Sequence, residues 1–261
     1  MTALATDLTL ALAALHEAMA ILRRHAAGVS HYEMKRDGPV TAADREVDAL
    51  LRQRLPRPGE GWLSEESIDD HARRGCARVW IVDPLDGTRS FVARRPEYST
   101  SIALVEDGVP VLGAIGNPVT GVVVAGGPGL GLRIDGDPTQ PWPRSRAETL
   151  SVLCSRSEWR RGEWQPWERQ STVQLLPCGS VAYKLALVAA GAADATWTFC
   201  GKSEWDVAAG AAVLAASGGS LWLPSGDVPR WNQPRPVFPG MIAARAGLAE
   251  RVAAELAGRR G

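Results

Sequence analysis

The chain has 261 residues, of which 45% are hydrophobic and 22% charged, which is typical of a globular protein with one large domain or two smaller ones. Its 29 basic and 29 acidic residues give a formal net charge of zero, and no basic run interleaved with aromatic residues indicates a nucleic-acid polymer as a partner. Four scattered cysteines without a CxxC pair are typical of a reduced, cytoplasmic protein.

The first predicted element is an amphipathic helix near the N-terminus. Apolar residues recur at helical spacing over 8–22, and the helix is expected to end near Gly28. Asp7, His16 and Glu17 interrupt the apolar stripe, and the segment has neither a basic leader nor a clear cleavage site. Since no run approaches the roughly 18 apolar residues of a membrane span, we predict a soluble, cytoplasmic protein that does not act at a membrane.

A second helical pattern, VTAADREVDALLRQRL, follows the polar stretch SHYEMKRDGP, which is interpreted as a loop. Thr41 and Asp44 are spaced like a helix-capping pair, with Asp44 in the first turn. Lys35 and Arg36 in the loop either screen substrate charge or are solvated, and solvation is the simpler interpretation. The segment RPGEGWLSEES then predicts a turn and a short strand that ends in two acids.

Two carboxylates follow a buried strand in the segment WIVDPLDGTRSF. Each buried charge costs several kcal/mol unless an opposite charge meets it, and Arg89 is the one cation close by in the sequence. Because Pro84 fixes φ and Gly87 permits a sharp reversal, Asp83 and Asp86 are expected to point into one concavity. What neutralises these two acids is therefore the main question that the sequence raises.

Three alternating apolar segments come next. YSTSIALVEDG, VPVLGAIGNP and TGVVVAGG predict antiparallel strands joined by tight turns, with the Asp-Gly pair as a hairpin turn. Glycine and proline become frequent over 126–143, which favours a domain boundary at 140–147. We therefore predict an α+β N-terminal domain over 1–143 and an α/β C-terminal domain over 144–261.

The second half alternates strands and helices, which indicates an α/β layer. TLSVLCS, TVQLLPC and ADATWTF predict strands, SVAYKLALVAAG and SEWDVAAGAAVLAASGG predict helices, and GMIAAR and LAERVAAELAG complete the pattern. The segments WQPWERQ and TQPWPRSR, which contain tryptophan and proline, are interpreted as surface loops without assigned chemistry.

Acidic residues stand at the ends of three predicted elements. Glu65 and Glu66 close one strand, Asp83 and Asp86 follow another, and Asp206 lies at a helix start in SEWDVAAG. Taken one at a time, each group has a simpler explanation than a metal-ligand role. The first pair would be an exposed acidic turn, the second an Asp-Gly bend, and the last acid a contact with the helix dipole. Together they favour one shared site for Mg²⁺, which binds hard oxygen ligands such as carboxylates and a backbone carbonyl.

Four motifs in this order, PVTAAD, LSEES, DPLDGTRSF and EWDVAAG, resemble the inositol monophosphatase superfamily of Mg²⁺-dependent, lithium-sensitive phosphatases. The resemblance runs from about Lys35 to Gly219, and four ordered motifs are far more specific than any one of them. It implies an α/β fold, a layered αβαβα sandwich of the inositol monophosphatase type. It also implies hydrolysis of a small phosphorylated metabolite by metal-activated water, without a phosphoenzyme.

The same resemblance implies two or three Mg²⁺ ions. Glu65, Asp83 and the Leu85 carbonyl would hold a first metal, and Asp83, Asp86 and Asp206 would hold a second. Asp86 and Asp206 would contact the substrate as well. A metal lowers the pKa of bound water from about 15.7 towards ~7, and two ions roughly 3.5–4 Å apart clamp the attacking and leaving oxygens of an in-line displacement.

The remaining implied roles concern the water and the transferred phosphate. Asp44 and Thr88 would orient the attacking water near Glu65. The backbone amides of Gly87 and Thr88, at a turn that would open a helix, would receive phosphate oxygens. These roles require no cysteine or serine nucleophile.

The choice of phosphate ester is less constrained. GSVAYKLALVAAG resembles the segment that contacts the non-phosphate part of the substrate, through the Gly179-Ser180 turn. Lys184 is similar to a lysine that meets a second phosphate in CysQ-type 3'(2'),5'-bisphosphate nucleotidases, and a solvated helix lysine is an equally good interpretation. Inositol-specific relatives have an acid where this chain has Phe199, although Glu204 offers a substitute from a different angle.

We therefore predict a Mg²⁺-dependent phosphomonoesterase that cleaves 3'-phosphoadenosine 5'-phosphate to AMP and phosphate. Inositol 1-phosphate is the nearest alternative, followed by a sugar or histidinol phosphate. A non-catalytic protein that binds metal or a phosphometabolite, and a nucleic-acid-binding module, are alternatives of other classes. The complete set of expected site residues disfavours the first, and the neutral charge disfavours the second. Dimers are common in the superfamily, so a homodimer is a further expectation.

Overall fold

The computed structural model describes residues 2–28, 32–34, 39–139 and 148–257. Lys35 and Arg36 lie outside these residues, as does nearly all of TQPWPRSR. The predicted domain boundary at 140–147 also lies outside them, so the division of the chain into two domains stays a prediction.

The N-terminal half builds one large sheet. Its elements are α1 (Ala3–Ala26), β1 (Glu33–Met34), β2 (Pro39–Val40), α2 (Ala42–Arg54), β3 (Gly61–Ser64), a 3-10 turn (Ala72–Gly75), β4 (Arg78–Asp86), α3 (Thr88–Val92), β5 (Ser99–Glu106), β6 (Val109–Gly116), β7 (Val123–Gly127) and β8 (Gly131–Asp135). Strands β3 to β8 form a six-stranded sheet in that order. All neighbours in it are antiparallel except β3 and β4, which are parallel, while β1 and β2 pair separately.

The C-terminal half builds a smaller mixed sheet. Its elements are β9 (Leu150–Ser155), α4 (Arg156–Arg160), α5 (Gln165–Glu168), β10 (Val173–Cys178), α6 (Val181–Ala189), β11 (Ala195–Thr198), β12 (Lys202–Ser203), α7 (Glu204–Ala216), β13 (Ser220–Trp222), β14 (Val237–Phe238), β15 (Met241–Ala244) and α8 (Ala249–Ala257). The sheet order is β10-β9-β11-β15-β13, with β10, β9 and β11 parallel and β15 antiparallel to both of its neighbours. Strands β12 and β14 pair separately.

Three hydrophobic clusters stack these elements into five layers. The first lies between α1, α2 and one face of the large sheet. The second lies between the other face of that sheet, the helices α6 and α7, and the small sheet, and the third covers the outer face of the small sheet beneath α8. Because strand side chains alternate between faces, Trp80 and Val82 enter the first cluster and Val79 and Ile81 the second. The predicted αβαβα sandwich is thus confirmed.

Most predicted elements are present at the expected positions. Thr41 and Asp44 form the predicted capping box at the start of α2. Asp107 and Gly108 both have positive φ, 48° and 78°, as a two-residue hairpin turn between right-twisted strands requires. Strands β8 and β13 were not predicted. The sequence of β8, GLRID, alternates between apolar and polar residues, but it lies in the stretch 126–143 that is rich in glycine and proline, and β13 has only three residues.

Helix α1 is more apolar than the sequence analysis allowed. It contains an 18-residue window with a mean hydropathy of 1.4, so by length and composition it could cross a membrane, and the expectation that no segment approaches a membrane span was wrong. Leu15, Met19 and Leu22 are buried in the first cluster against α2 and the large sheet. One third of the apolar window, 33%, is buried in this way, so packing in the core accounts for part of the hydropathy of α1.

The interpretation of WQPWERQ as a surface loop is wrong. Trp164 and Trp167 are only 2% and 7% exposed and pack with Trp197 on the outer face of the small sheet. Their ring centroids lie 5.4–5.5 Å apart. The segment forms the short helix α5, and residues three apart share one helix face. The proline between the two tryptophans favoured a loop interpretation, although the three-residue spacing of the tryptophans fits one face of a helix.

Truncating this cluster should destabilise the protein. Trp164→Ala removes a buried indole from a packed site and should lower the free energy of unfolding by about 3–5 kcal/mol. Gln165→Ala, at the exposed neighbouring position, should change it by less than about 0.5 kcal/mol. Urea unfolding at 25 °C measures both. A loss below about 1 kcal/mol for Trp164→Ala would contradict the assignment of this segment to the core.

Candidate metal centre

A bulge in β4 places Asp83 and Asp86 on the same side of the large sheet. Asp83 pairs with Ser101 of β5, but Asp86 pairs with Ser99, so β4 carries one extra residue. Residues three apart in a regular strand point to opposite faces, and an extra bulge residue reverses this. The strand was expected to end before Asp83, but it continues to Asp86. Pro84 has no N–H to donate, and a bulge is one of the places where a central strand tolerates a proline.

Asp206 reaches the same place from the second half of the chain. It forms a capping box with Ser203 at the start of α7, and the Ser203 N–H donates to Asp206 Oδ2 at 3.0 Å. Ser101 Oγ donates to the carbonyl that precedes Asp206, at 3.2 Å, which joins this helix start to β5. Oxygen atoms from Asp83, Asp86 and Asp206 all lie within 4.8 Å of one another.

Glu65 joins this cluster from the loop after β3. Its carboxyl group lies next to that of Asp83, so a bond between the two requires that they share a proton. The side chain is exposed, and the space that it faces is the cavity that it lines together with Asp83. Asp48 on α2 fixes the loop by accepting hydrogen bonds from Ser64 Oγ at 2.5 Å and from Ser67 Oγ at 2.7 Å. Glu65 therefore faces the acidic cluster from the strand next to β4.

Asp44 lies behind Thr88 and does not itself line the cavity. Thr88 Oγ1 is 3.2 Å from Asp44 Oδ1 and 3.0 Å from the Leu85 carbonyl oxygen. Thr41 donates to Asp44 Oδ2 through its N–H at 2.7 Å and through its hydroxyl at 2.6 Å. Burial raises the pKa of Asp44 in spite of these hydrogen bonds. The hydrogen bond to Thr88 therefore connects Asp44 to the cavity.

Two turns meet closely at the edge of the cavity. Gly87 has φ +97°, and a Cβ on Gly179 would lie 2.4 Å from Ser90 Oγ, so neither position accommodates a side chain. Ser180 Oγ donates to Asp86 Oδ2 at 2.7 Å, and a backbone N–H from the first turn of α6 donates to the same oxygen at 2.6 Å. Asp86 therefore joins the DPLDG bend to the Gly179-Ser180 turn.

These residues surround a cavity of about 710 Å³. It is lined by every residue that the sequence analysis placed in the site except Asp44, namely Glu65, Asp83, Leu85, Asp86, Gly87, Thr88, Gly179, Ser180, Lys184 and Asp206. Cationic side chains line the same cavity, namely Arg89, Arg95, Arg156, Arg160, Lys184 and Lys202. The cavity thus presents acids at one cluster and cations around it.

Lys184 is not a solvated helix lysine. It is 3% exposed and lies on α6, where all residues from Ala182 to Ala189 are buried between the two sheets. A helix in the central layer has no solvated face for a lysine, which is why that alternative is wrong. The charge of Lys184 instead faces the acidic cluster. Burial raises the pKa of Asp86 and Asp206, and Lys184 offsets part of this rise.

Burial and the crowding of like charges together set the electrostatics of the cluster. Burial, and then repulsion by neighbouring carboxylates, raises the pKa of Asp83 well above its usual value and that of Asp206 to about 7. Glu65 is exposed only towards the cavity, and desolvation by the cavity wall, followed by repulsion from Asp206, raises its pKa to about 8. Solvent in the cavity screens part of this repulsion at the exposed Glu65. Hard oxygen donors with uncompensated negative charge fit a divalent cation such as Mg²⁺, so the residues present match the metal that the motifs imply.

Glu204 does not replace the acid that is absent at Phe199. It is fully buried, and its carboxylate accepts the N–H groups of Asn232 at 2.8 Å and Gln233 at 2.9 Å. It does not line the cavity, and Phe199 stacks on Trp167 instead. The expectation of a compensating acid was therefore wrong.

Three residues near the site were missed in the sequence analysis. Asp48 lies one helical turn after Asp44, so helical periodicity could have placed it beside the loop that carries Glu65. Lys202 precedes Asp206 by four residues, and its position just before the EWDVAAG motif was the one sequence signal for a place in the site. Nothing in the sequence indicated Arg156, which lines the cavity while paired with Glu97 from the other half of the chain.

The chain is similar to known proteins both in sequence and in fold. A model of the inositol monophosphatase family matches residues 3–259. An inositol-1-monophosphatase of Mycobacterium leprae is 34% identical, covering 84% of this chain and 78% of its own. A 3'-phosphoadenosine 5'-phosphate phosphatase of Mycobacterium bovis is 35% identical, covering 80% and 78%. The crystal structure of CysQ from Bacteroides thetaiotaomicron superposes with a TM-score of 0.78 at 29% identity, covering 92% and 97%.

Removing one crowded charge should stabilise the metal-free protein. At pH 8 in EDTA, Asp206→Asn should raise Tm by about 2–4 °C, because it relieves like-charge repulsion and keeps an oxygen for the Ser203 N–H. With Mg²⁺, wild-type protein should gain more in Tm than the variant. Asp227→Asn, at an exposed loop position, should change neither value. A lower Tm for Asp206→Asn in EDTA would count against crowding as the dominant effect.

Proposed function

Because the chain belongs to the inositol monophosphatase family and is a phosphoric monoester hydrolase, we propose that it hydrolyses 3'-phosphoadenosine 5'-phosphate to AMP and phosphate in the presence of Mg²⁺. The observation that carries this proposal is the buried Lys184 beside the convergent carboxylates of Asp83, Asp86 and Asp206. The carboxylates would hold the metal ions that bind the phosphate to be cleaved, and the lysine would bind a second phosphate.

The proposed metal ligands are those that the geometry brings together. Glu65, Asp83 and the Leu85 carbonyl would hold one Mg²⁺, and Asp83, Asp86 and Asp206 would hold another, with a third ion as an option. When bound, Mg²⁺ supplies Lewis acidity and positive charge to the phosphate and to the attacking water. The convergence of carboxylate oxygens within 4.8 Å supports the second set.

Thr88 and Asp44 are proposed to orient the attacking water. Thr88 has one hydroxyl proton, and both oxygens near it, Asp44 Oδ1 and the Leu85 carbonyl, are acceptors. Its proton is therefore directed to one of them, and its lone pairs remain for a proton of the water. Asp44, fixed by two hydrogen bonds from Thr41, holds Thr88 in this orientation. The nucleophile is thus positioned by the chain without a covalent intermediate.

The two close turns are proposed to position the substrate. The backbone amides of Gly87 and Thr88 open α3 and would donate to oxygens of the transferred phosphate. The Gly179-Ser180 turn would contact the part of the substrate that leaves. The absence of side chains at Gly87 and Gly179 lets backbone approach the substrate at both places.

Inositol 1-phosphate is the second candidate substrate. The mycobacterial relatives named for the two substrates are 34% and 35% identical to this chain, so identity does not separate them. A buried cation favours a substrate with a second anionic group, and Phe199 stands where inositol-specific relatives have an acid. A cytoplasmic location, a homodimer and the absence of a nucleic-acid polymer partner stay predictions.

Loss of a shared metal ligand should abolish activity. Asp83→Asn should lower phosphate release by at least about 10²–10³-fold, because both proposed ions lose a charged ligand. Asp227→Asn should retain wild-type turnover, since that residue is exposed and outside the cavity. A colorimetric phosphate assay with Mg²⁺ measures both variants. Normal turnover by Asp83→Asn would refute the metal assignment.

The substrate is tested by comparing rates and then removing Lys184. Wild-type kcat/KM should be highest for 3'-phosphoadenosine 5'-phosphate in a panel with inositol 1-phosphate, fructose 1,6-bisphosphate and histidinol phosphate. Lys184→Met keeps an unbranched side chain, shorter by the terminal nitrogen, and removes its charge. It should reduce kcat/KM for the bisphosphorylated nucleotide by about 10- to 100-fold and that for inositol 1-phosphate by less than about threefold. Equal losses on both would show that Lys184 does not select the substrate.

A further inference from the structure

Lys202 is a second lysine that lines the cavity next to the acidic cluster. It belongs to β12, four residues before Asp206, and its side chain is 15% exposed. Its Nζ lies 3.2 Å from Oε1 of Glu158. Lys184 lines the same cavity, so two ammonium groups border the space next to the acidic cluster.

The partner of Lys202 is a buried carboxylate from a separate element. Glu158 lies on α4, and its side chain is 3% exposed. The same Oε1 accepts a hydrogen bond from Thr198 Oγ1 at 2.8 Å, which fixes the carboxylate on β11. A free lysine side chain samples many rotamers. The contact with a buried, immobilised carboxylate therefore holds the Lys202 ammonium at one position in the cavity wall.

An exposed ion pair near Lys202 serves as a contrast to the Lys202–Glu158 pair. Arg161 and Glu163 pair at 2.6 Å with both side chains solvent-exposed, and neither lines the cavity. Because this pair lies outside the cavity, it does not position a charged group for a ligand there. Lys202 differs because its partner is buried and its ammonium borders the cavity.

Most of the hydrogen-bonding capacity of Lys202 is available to a ligand. An ammonium group has three N–H donors. Glu158 is the one hydrogen-bond partner of Nζ within the part of the chain that the structure describes. Two donors therefore remain for groups that enter the cavity.

We propose that Lys202, held in place by Glu158, is a specificity-determining residue that binds the anionic group on the part of the substrate that is not transferred. This inference rests on the proposed function, because it takes the acidic cluster as the place where a phosphate is cleaved. The group it recognises is a second phosphate, carried either by a nucleoside or by a polyol. Lys184 and Lys202 would then contact this phosphate from α6 and from β12.

The test uses two substrate pairs that differ only in a second phosphate. These are adenosine 3',5'-bisphosphate with adenosine 3'-phosphate, and inositol 1,4-bisphosphate with inositol 1-phosphate. For the pair that wild-type protein hydrolyses, Lys202→Met should lower kcat/KM of the bisphosphate by about 10- to 100-fold and leave that of the monophosphate within about threefold. Lys202→Arg should restore part of the preference, and the control Arg161→Met should change neither substrate.

A double variant separates specificity from folding. Lys202→Met leaves Glu158 buried without its cation, which destabilises the fold, whereas Glu158→Gln/Lys202→Met removes both charges and should recover part of the lost Tm. It should still lack the preference for the bisphosphate. If it keeps the wild-type preference, Lys202 only neutralises Glu158 and the proposal is wrong.

Binding measurements keep this test independent of the proposed function. Calorimetry with Ca²⁺ in place of Mg²⁺ yields dissociation constants for the same four compounds. If wild-type protein releases no phosphate from any of them, the proposed function fails, and the ratio of dissociation constants still tests Lys202. An unchanged ratio in Lys202→Met, or no binding of either bisphosphate to wild-type protein, would overturn the proposal.

Discussion

The crowding of the Asp83, Asp86 and Asp206 carboxylates is the constraint on which the rest of this site depends. Their oxygens lie within 4.8 Å of one another in a largely buried environment, which is unfavourable for three negative charges. Each carboxylate accepts a hydrogen bond that fixes its position, as the Ser203 N–H does for Asp206. Hydrogen bonds orient these groups without neutralising them. The metal-free site is therefore strained electrostatically, and a bound metal cation would relieve the strain.

The layered fold assembles this cluster from distant parts of the chain. Helices α6 and α7 belong to the C-terminal half but pack on the large sheet of the N-terminal half. Their starts deliver Ser180 and Asp206 to the bulge in β4, where Asp83 and Asp86 lie. The same central layer has no solvated face, so Lys184 is directed towards the acids and the cavity. One packing arrangement thus places anionic ligands for a cation beside cationic ligands for an anion.

The elements that could be predicted from the sequence are those determined by local residue patterns. Helical spacing in α1 and α2, alternation in β5 to β7 and the capping pair Thr41 and Asp44 follow from rotations and hydrogen bonds within a few residues. Nearly all residues that the motifs placed in the site do line one cavity. The paired tryptophans of α5 were misinterpreted, because burial of that segment depends on contacts with Trp197 from another strand.

The sequence by itself determined which residues are candidates for the chemistry, since acids at element ends and ordered motifs are local features. Only the tertiary structure decided how they meet. The bulge that places Asp83 and Asp86 on one side depends on pairing with β5, and the burial of Lys184 depends on two sheets that enclose α6. The contact between Lys202 and Glu158 joins residues 44 positions apart. Such relations arise from long-range packing, which no short stretch of sequence encodes.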